Sequence, residues 1–261
     1  MAHLIRNGNS IHYEVHGEGR PVILLHGICV SFAGNYSGFG WIESLCQQGL
    51  QVIGLDFLGH GKSDKPHDPP AYGTHNLAAD VMALMDHLQL ETASLVGFSM
   101  GSVVALHLLH TYPKRFGRSV LIATGDGLLG IPPHTMAETA PQLVRALDSD
   151  HYPAELPKHV AAYWNFATKV GGDRLASAAA ARAHYPVCTT EAAGRVSAEV
   201  LIISGEIDPV LGQGPVVART LAHGRYVEIP GADHFMLAAS DEAKELVKIF
   251  LAPIVPPSIN E

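Results

Sequence analysis

The sequence predicts an α/β fold, a mostly parallel sheet with helices on both faces. Six short, β-branched apolar runs recur along the chain, at 21–26 (PVILLH), 51–56 (QVIGLD), 93–98 (ASLVGF), 118–123 (RSVLIA), 198–204 (AEVLIIS) and 225–230 (RYVEIP). The runs are nearly continuous in apolar residues instead of alternating, as strands covered on both faces must be. The stretches between them are long enough for the helical crossovers that parallel strands require.

Each element follows from local pattern. The opening segment HLIRNGNSIHYEVHG has strand-like pieces around the polar turn residues Asn7, Gly8 and Asn9, so an antiparallel hairpin precedes the parallel part. Residues 74–88 place Leu77, Val81, Leu84, Met85 and Leu88 at helical spacing, with Thr74 expected as the cap. From residue 127 to about 188 the strand rhythm stops. This region is alanine-rich and punctuated by Pro132, Pro133, Pro141, Pro153, Pro157 and Pro186, and it predicts an insertion of short helices between two strands. Tyr152, Tyr163, Trp164 and Phe166 give it too much apolar surface to remain in water. Strand rhythm resumes at residue 198, and a helix over 241–251 closes the pattern.

Bulk properties narrow the partners. The 261 residues are 47% hydrophobic and 16% charged, ample for a sizeable core, with a formal net charge of -8 and no long basic run. A small-molecule partner is expected, not nucleic acid or an anionic membrane surface. No apolar stretch approaches the ~20 residues that span a bilayer, and MAHLIRNGNS lacks the apolar segment of a secretory signal, so cytoplasmic residence is expected. Cys29, Cys46 and Cys188 form no CxxC pair and predict no disulfide framework. Among the 16 histidines, only His107 and His110 have suggestive helical spacing, and they lack a nearby carboxylate; neither a metal nor a cofactor is expected. His134, His151, His159 and His184 are expected at the surface.

Ligands of open parallel sheets gather at the carboxyl ends of the strands. After 93–98 comes Gly97-Phe98-Ser99-Met100-Gly101, then an apolar helical run. A serine on a sharp strand-to-helix turn is strained, and its flanking glycines allow strand and helix to approach closely. A bland alternative is that Ser99 merely caps the helix. A serine hydroxyl needs a base to become a nucleophile, and the base needs an acid to orient it. His234, in Gly231-Ala232-Asp233-His234-Phe235, follows the last strand and supplies the base. Asp208, framed by Gly205 and Pro209 after the preceding strand, is the expected acid, with Asp126, Glu206 and Asp233 as competitors. The break at His26-Gly27 lets the N–H of Ile28 join that of Met100 as a two-donor oxyanion hole, with His26 bracing the loop.

Ser99, Asp208 and His234 in that order, HG after the third strand, GFSMG at the elbow, and GEID and GADHF further on resemble the α/β-hydrolase superfamily over essentially the whole chain. DFLGHGKSD at 56–64 is similar to the turn after the family's fourth strand, with Leu58 where an arginine is common, and Ser102 stands where many relatives have glycine. The resemblance implies an eight-stranded, mostly parallel sheet with a helical cap inserted after the sixth strand: a core of 1–126 and 189–261 around a cap of 127–188. It implies that the cap roofs the pocket, with Tyr163, Trp164 and Phe166 as expected substrate contacts. Serine at the elbow disfavours the epoxide hydrolases and haloalkane dehalogenases of this fold, which use aspartate. Hydrolysis of a small carboxylic ester through an acyl-enzyme leads. Carbon–carbon bond hydrolysis, thioester hydrolysis and a perhydrolase side activity like that of the cofactor-free haloperoxidase-like group stay open, as does a small-molecule receptor of the same fold.

Overall fold

The computed structural model describes residues 2–131, 136–170 and 172–253. Pro132, Pro133 and His134 lie outside them. Eight strands form one sheet: β1 (Ala2–Arg6), β2 (Asn9–His16), β3 (Arg20–Leu25), β4 (Leu50–Leu55), β5 (Ala93–Phe98), β6 (Phe116–Ile122), β7 (Val200–Gly205) and β8 (Gly224–Ile229). Their order is β1-β2-β4-β3-β5-β6-β7-β8. β2 pairs antiparallel with β1 and β4, and every pairing from β4 to β8 is parallel. Arg6 pairs with Asn9, so the hairpin turns on two residues, Asn7 and Gly8, with φ of 50° and 80°. Both values lie in the left-handed region that twist-matched hairpin turns need, which Asn and Gly adopt most readily.

Apolar residues at successive strand positions serve opposite faces. Val22, Leu24, Val96, Val120 and Ile122 pack into one core, and Ile23, Leu25, Leu95 and Leu121 into the other. The first core is covered by α1 (Phe32–Asn35), α2 (Trp41–Cys46) and α10 (Asp241–Leu251); the second by α3 (Thr74–His87), α4 (Met100–Thr111) and α9 (Pro215–Thr220). Between β6 and β7 run α5 (Met136–Asp148), α6 (Lys158–Lys169), α7 (Arg174–Arg182) and the short α8 (Thr190–Gly194).

One helix start differs from expectation. Gly73, at φ 92°, occupies the cap position of α3, and Thr74 is the first helical residue, its hydroxyl without a hydrogen-bond partner among the described residues. The chain passes so close to His184 there that a β-carbon on residue 73 would press on the His184 carbonyl oxygen, 2.7 Å away. Backbone geometry, not capping chemistry, therefore sets this terminus.

Sheet topology places the site. β3 pairs with β4 on one side and β5 on the other, so the chain leaves β3 in one direction and later returns in the opposite one. The crevice beyond the carboxyl ends of β3 and β5 is this sheet's switch point, where parallel sheets bind ligands.

Candidate active site

Ser99 stands at that crevice, between β5 and α4, with φ 53° and ψ -114°. Such a backbone is uncommon for a residue with a side chain and costs on the order of 1–3 kcal/mol. Its neighbours make it attainable. A β-carbon on Gly97 would lie 2.5 Å from the Gly101 carbonyl oxygen, and one on Gly101 would overlap the Leu25 carbonyl at the end of β3. The Ser102 hydroxyl lies 2.9 Å from the carbonyl oxygens of both Gly97 and Ile122, shares its proton between them, and so ties α4 to the ends of β5 and β6. The side chain of Ser99 makes no cap hydrogen bond to its own helix.

The Ser99 hydroxyl instead meets His234, with Oγ 2.9 Å from Nε2, and His234 Nδ1 lies 2.8 Å from Asp208 Oδ2. All three are buried, His234 and Asp208 at 1% and 3% exposure. Asp208 Oδ1 accepts from the backbone N–H groups of Val210 and Leu211. Burial alone would raise the Asp208 pKa, but the adjacent His234 and these two amides outweigh it and hold the carboxyl below the usual range. An ionised Asp208 fixes the Nδ1–H tautomer of His234 and leaves Nε2 to accept from the serine hydroxyl.

The three competing acids have other tasks. Asp126 Oδ1 accepts from the N–H groups of Val216 and Val217 at the start of α9. Glu206 accepts from Gly231 N–H, holding the turn that leads to His234. Asp233 folds back onto the amides of Phe235 and Met236.

The loop after β3 is braced as expected. His26 Nε2 accepts from Phe57 N–H, and His26 Nδ1 donates to the Gly27 carbonyl at 2.6 Å. Burial lowers the His26 pKa, so the ring is held neutral with both nitrogens engaged. The N–H groups of Ile28 and Met100 make no hydrogen bond among the described residues. Met100 opens α4, where the first N–H groups have no partner within the helix.

A cavity of about 260 Å³ opens over Ser99 and His234. It is lined by Ile28, Val30 and Phe39, by Phe98 and Phe235, whose rings lie 5.9 and 5.4 Å from that of His234, and by Tyr163, Phe166 and Val170 from α6 and its end. No arginine or lysine lines it among the described residues. Two of the three expected substrate contacts are therefore at the cavity, and Trp164 is corrected: its indole N–H donates to the Ser149 carbonyl and its ring meets Tyr152 at 6.1 Å. Residues 163 and 166 share a helix face, whereas 164 points about 100° away from 163. Phe98 and Phe235 also line the cavity, a position that their place beside Ser99 and His234 in sequence could have signalled. Asn35, also on the cavity wall, carried no motif to reveal it.

His159 on α6, expected at the surface, is half-buried and within electrostatic reach of Asp208 and His234; burial is the main cause that lowers its pKa. His107 and His110 meet edge to face at 5.0 Å, and among the described residues no group of three or more His, Cys, Asp or Glu side chains is arranged to hold a metal ion. The three cysteines are free. No helix of the described residues is long and apolar enough to cross a membrane.

Comparison with known proteins agrees with this fold. The profile of a family described as alpha/beta hydrolase fold matches residues 20–162, more than half of the chain. The 2-hydroxy-6-oxo-6-phenylhexa-2,4-dienoate hydrolase of Comamonas testosteroni is 39% identical over 115 residues, 44% of this chain and 40% of that protein. The AB hydrolase superfamily protein YisY of Bacillus subtilis is 38% identical over 112 residues, 42% of this chain and 40% of its own. The match thus spans about two-fifths of the length of these relatives. An esterase from Exiguobacterium antarcticum superposes with a TM-score of 0.75 at 22% identity, covering 93% of this chain and 94% of that one.

Proposed function

The chain belongs to the α/β-hydrolase fold family, and on that premise we propose that it is a serine hydrolase that cleaves a small carboxylic ester through an acyl-enzyme. The observation that carries the reading is the unbroken chain from Ser99 Oγ through His234 to Asp208, at 2.9 and 2.8 Å, at the base of an apolar cavity. In this mechanism His234 Nε2 takes the serine proton as Oγ attacks the ester carbonyl, and Asp208 stabilises the imidazolium that forms. The N–H groups of Ile28 and Met100 receive the oxyanion, each contributing about 3 kcal/mol of transition-state stabilisation. His234 then protonates the departing alcohol. A water molecule, deprotonated by the same nitrogen, releases the acid and restores Ser99.

Carbon–carbon bond hydrolysis is the second reading, favoured by the similarity to the Comamonas testosteroni hydrolase. That relative's named substrate is a dienoate, an anion, and a buried carboxylate demands a cationic or hydrogen-bonded partner. With no arginine or lysine on the described cavity wall, a neutral ester fits this site better.

A panel of p-nitrophenyl esters of increasing acyl length, run beside a thioester and a vinylogous 1,5-diketone, tests the reading. Short esters are expected to be turned over best, because a cavity of about 260 Å³ is small for a ligand site. Ser99→Ala is expected to lower kcat by about 10⁴- to 10⁶-fold. Activity confined to the diketone would overturn the ester assignment.

A further inference from the structure

The turn DFLGHGKSD at 56–64 supplies no member of the triad, yet it starts against the loop that carries the Ile28 N–H. Residues 26–31 of that loop belong to no strand or helix. Cys29, next to Ile28, has φ 66°, a left-handed backbone that is strained for a residue with a side chain. Such a conformation persists only where the surroundings hold it.

Two consecutive residues at the carboxyl end of β4 do the holding. Phe57 N–H donates to His26 Nε2 at 2.9 Å, at the start of the loop. Asp56 Oδ1 accepts from Phe32 N–H at 2.8 Å, at its end. Ile28 lies between these two pins. Asp56 is 3% exposed and is itself fixed, since Oδ2 accepts from Lys62 N–H at 2.9 Å and lies 3.0 Å from His12 Nδ1. The turn closes over it so tightly that a β-carbon on Gly61, at φ 52°, would sit 2.2 Å from the carboxyl carbon. Met100 N–H needs no such device, because α4 sets its position.

We propose that Asp56 is a positioning residue for the oxyanion hole of the reaction assigned above, on which this inference rests: through Phe32 N–H it holds the loop so that Ile28 N–H meets the forming oxyanion. It touches no substrate. A donor serves the oxyanion only at about 2.7–3.1 Å, and a displacement of about 1 Å can cost ~10²-fold in rate.

p-Nitrophenyl butyrate and its thiono analogue, in which sulfur replaces the carbonyl oxygen, test this. Sulfur is larger and accepts N–H hydrogen bonds poorly, so the ratio of the two kcat/KM values reads how well the hole fits an oxygen. Misfolded molecules lower both values equally and leave the ratio unchanged, which separates positioning from stability. Asp56→Ala removes the pin, and the ester-to-thionoester ratio is expected to fall about tenfold or more, with KM for the butyrate little changed. Asp56→Asn keeps Oδ1 for Phe32 N–H and is expected to hold the ratio within about threefold of wild type. Asp56→Glu, which keeps the charge but carries the acceptor one methylene farther, is read in place of Asp56→Ala if that variant does not fold, with the same fall expected. An unchanged ratio where the pin is removed or moved overturns the inference. So does an equal fall in Asp56→Asn, because the bond to Phe32 would then not carry the effect. Ester hydrolysis by the wild type that disappears in Ser99→Ala tests the underlying assignment separately. Its absence would sink both readings, whereas an unchanged ratio in an active enzyme sinks only the role of Asp56.

Discussion

Asp208 has both carboxylate oxygens occupied, one by His234 and one by two backbone amides, and that division makes it an orienting group instead of a proton carrier. Asp208→Asn keeps its size but favours the wrong imidazole tautomer, and steady-state assays are expected to show kcat reduced about 10⁴-fold. Asp126 lies outside this chain of bonds and holds the start of α9 through one oxygen. Asp126→Asn retains that acceptor, so the same assay is expected to return most of the wild-type rate; the reverse pattern would move the acid to Asp126. These roles were legible in sequence because chain order, strand ends and flanking glycines constrain Ser99, Asp208 and His234. Asn35 was not legible. Its place on the cavity wall and its hydrogen bond to Gly27 N–H leave no trace in residue spacing.

At the scale of elements, the six parallel strands lie within about two residues of their apolar runs in the sequence, because burial on both faces fixes those runs. The helices between β6 and β7 were harder. Their amphipathic faces pack on one another, α5 against both α6 and α7, and composition does not say which face of α6 meets the cavity. Helical geometry does: Tyr163 and Phe166 face inward, while Trp164 turns toward Ser149 and Tyr152. Phe166→Ala is expected to lower kcat/KM for the best ester about tenfold, since it removes apolar contact area at the substrate. Trp164→Ala is expected to lower the melting temperature while leaving KM close to wild type. A raised KM in the Trp164 variant alone would place the substrate on the opposite face of α6.

Across the whole molecule, several buried histidines make stability depend on pH. His60 is fully buried, 5.2 Å from the ring of His26, and burial, with His26 acting in the same direction, pushes its pKa down to about 3. The unfolded chain therefore binds a proton at His60 that the folded chain refuses. This contribution is complete above pH ~6.5 and is lost progressively as pH falls toward 3, amounting to about 4–5 kcal/mol. His26, also lowered by burial, and Asp56, held below its usual range despite burial, act in the same direction. Asp80, raised to about 6 by burial, acts oppositely and gains stability on protonation. The His60 effect is therefore best isolated by difference: urea unfolding between pH 7.5 and 4.5 is expected to show a shallower loss in His60→Gln than in wild type, and parallel slopes would contradict the assignment. The same fold brings the ends of β3, β5, β7 and β8 to one point, where Ser99 stands. The most direct measurement is intact-protein mass spectrometry after treatment with a fluorophosphonate, with the adduct located by peptide mapping. One stoichiometric adduct is expected, on Ser99, absent in Ser99→Ala and strongly slowed in His234→Ala. Equal labelling of wild type and Ser99→Ala, or no labelling of the wild type, would contradict it.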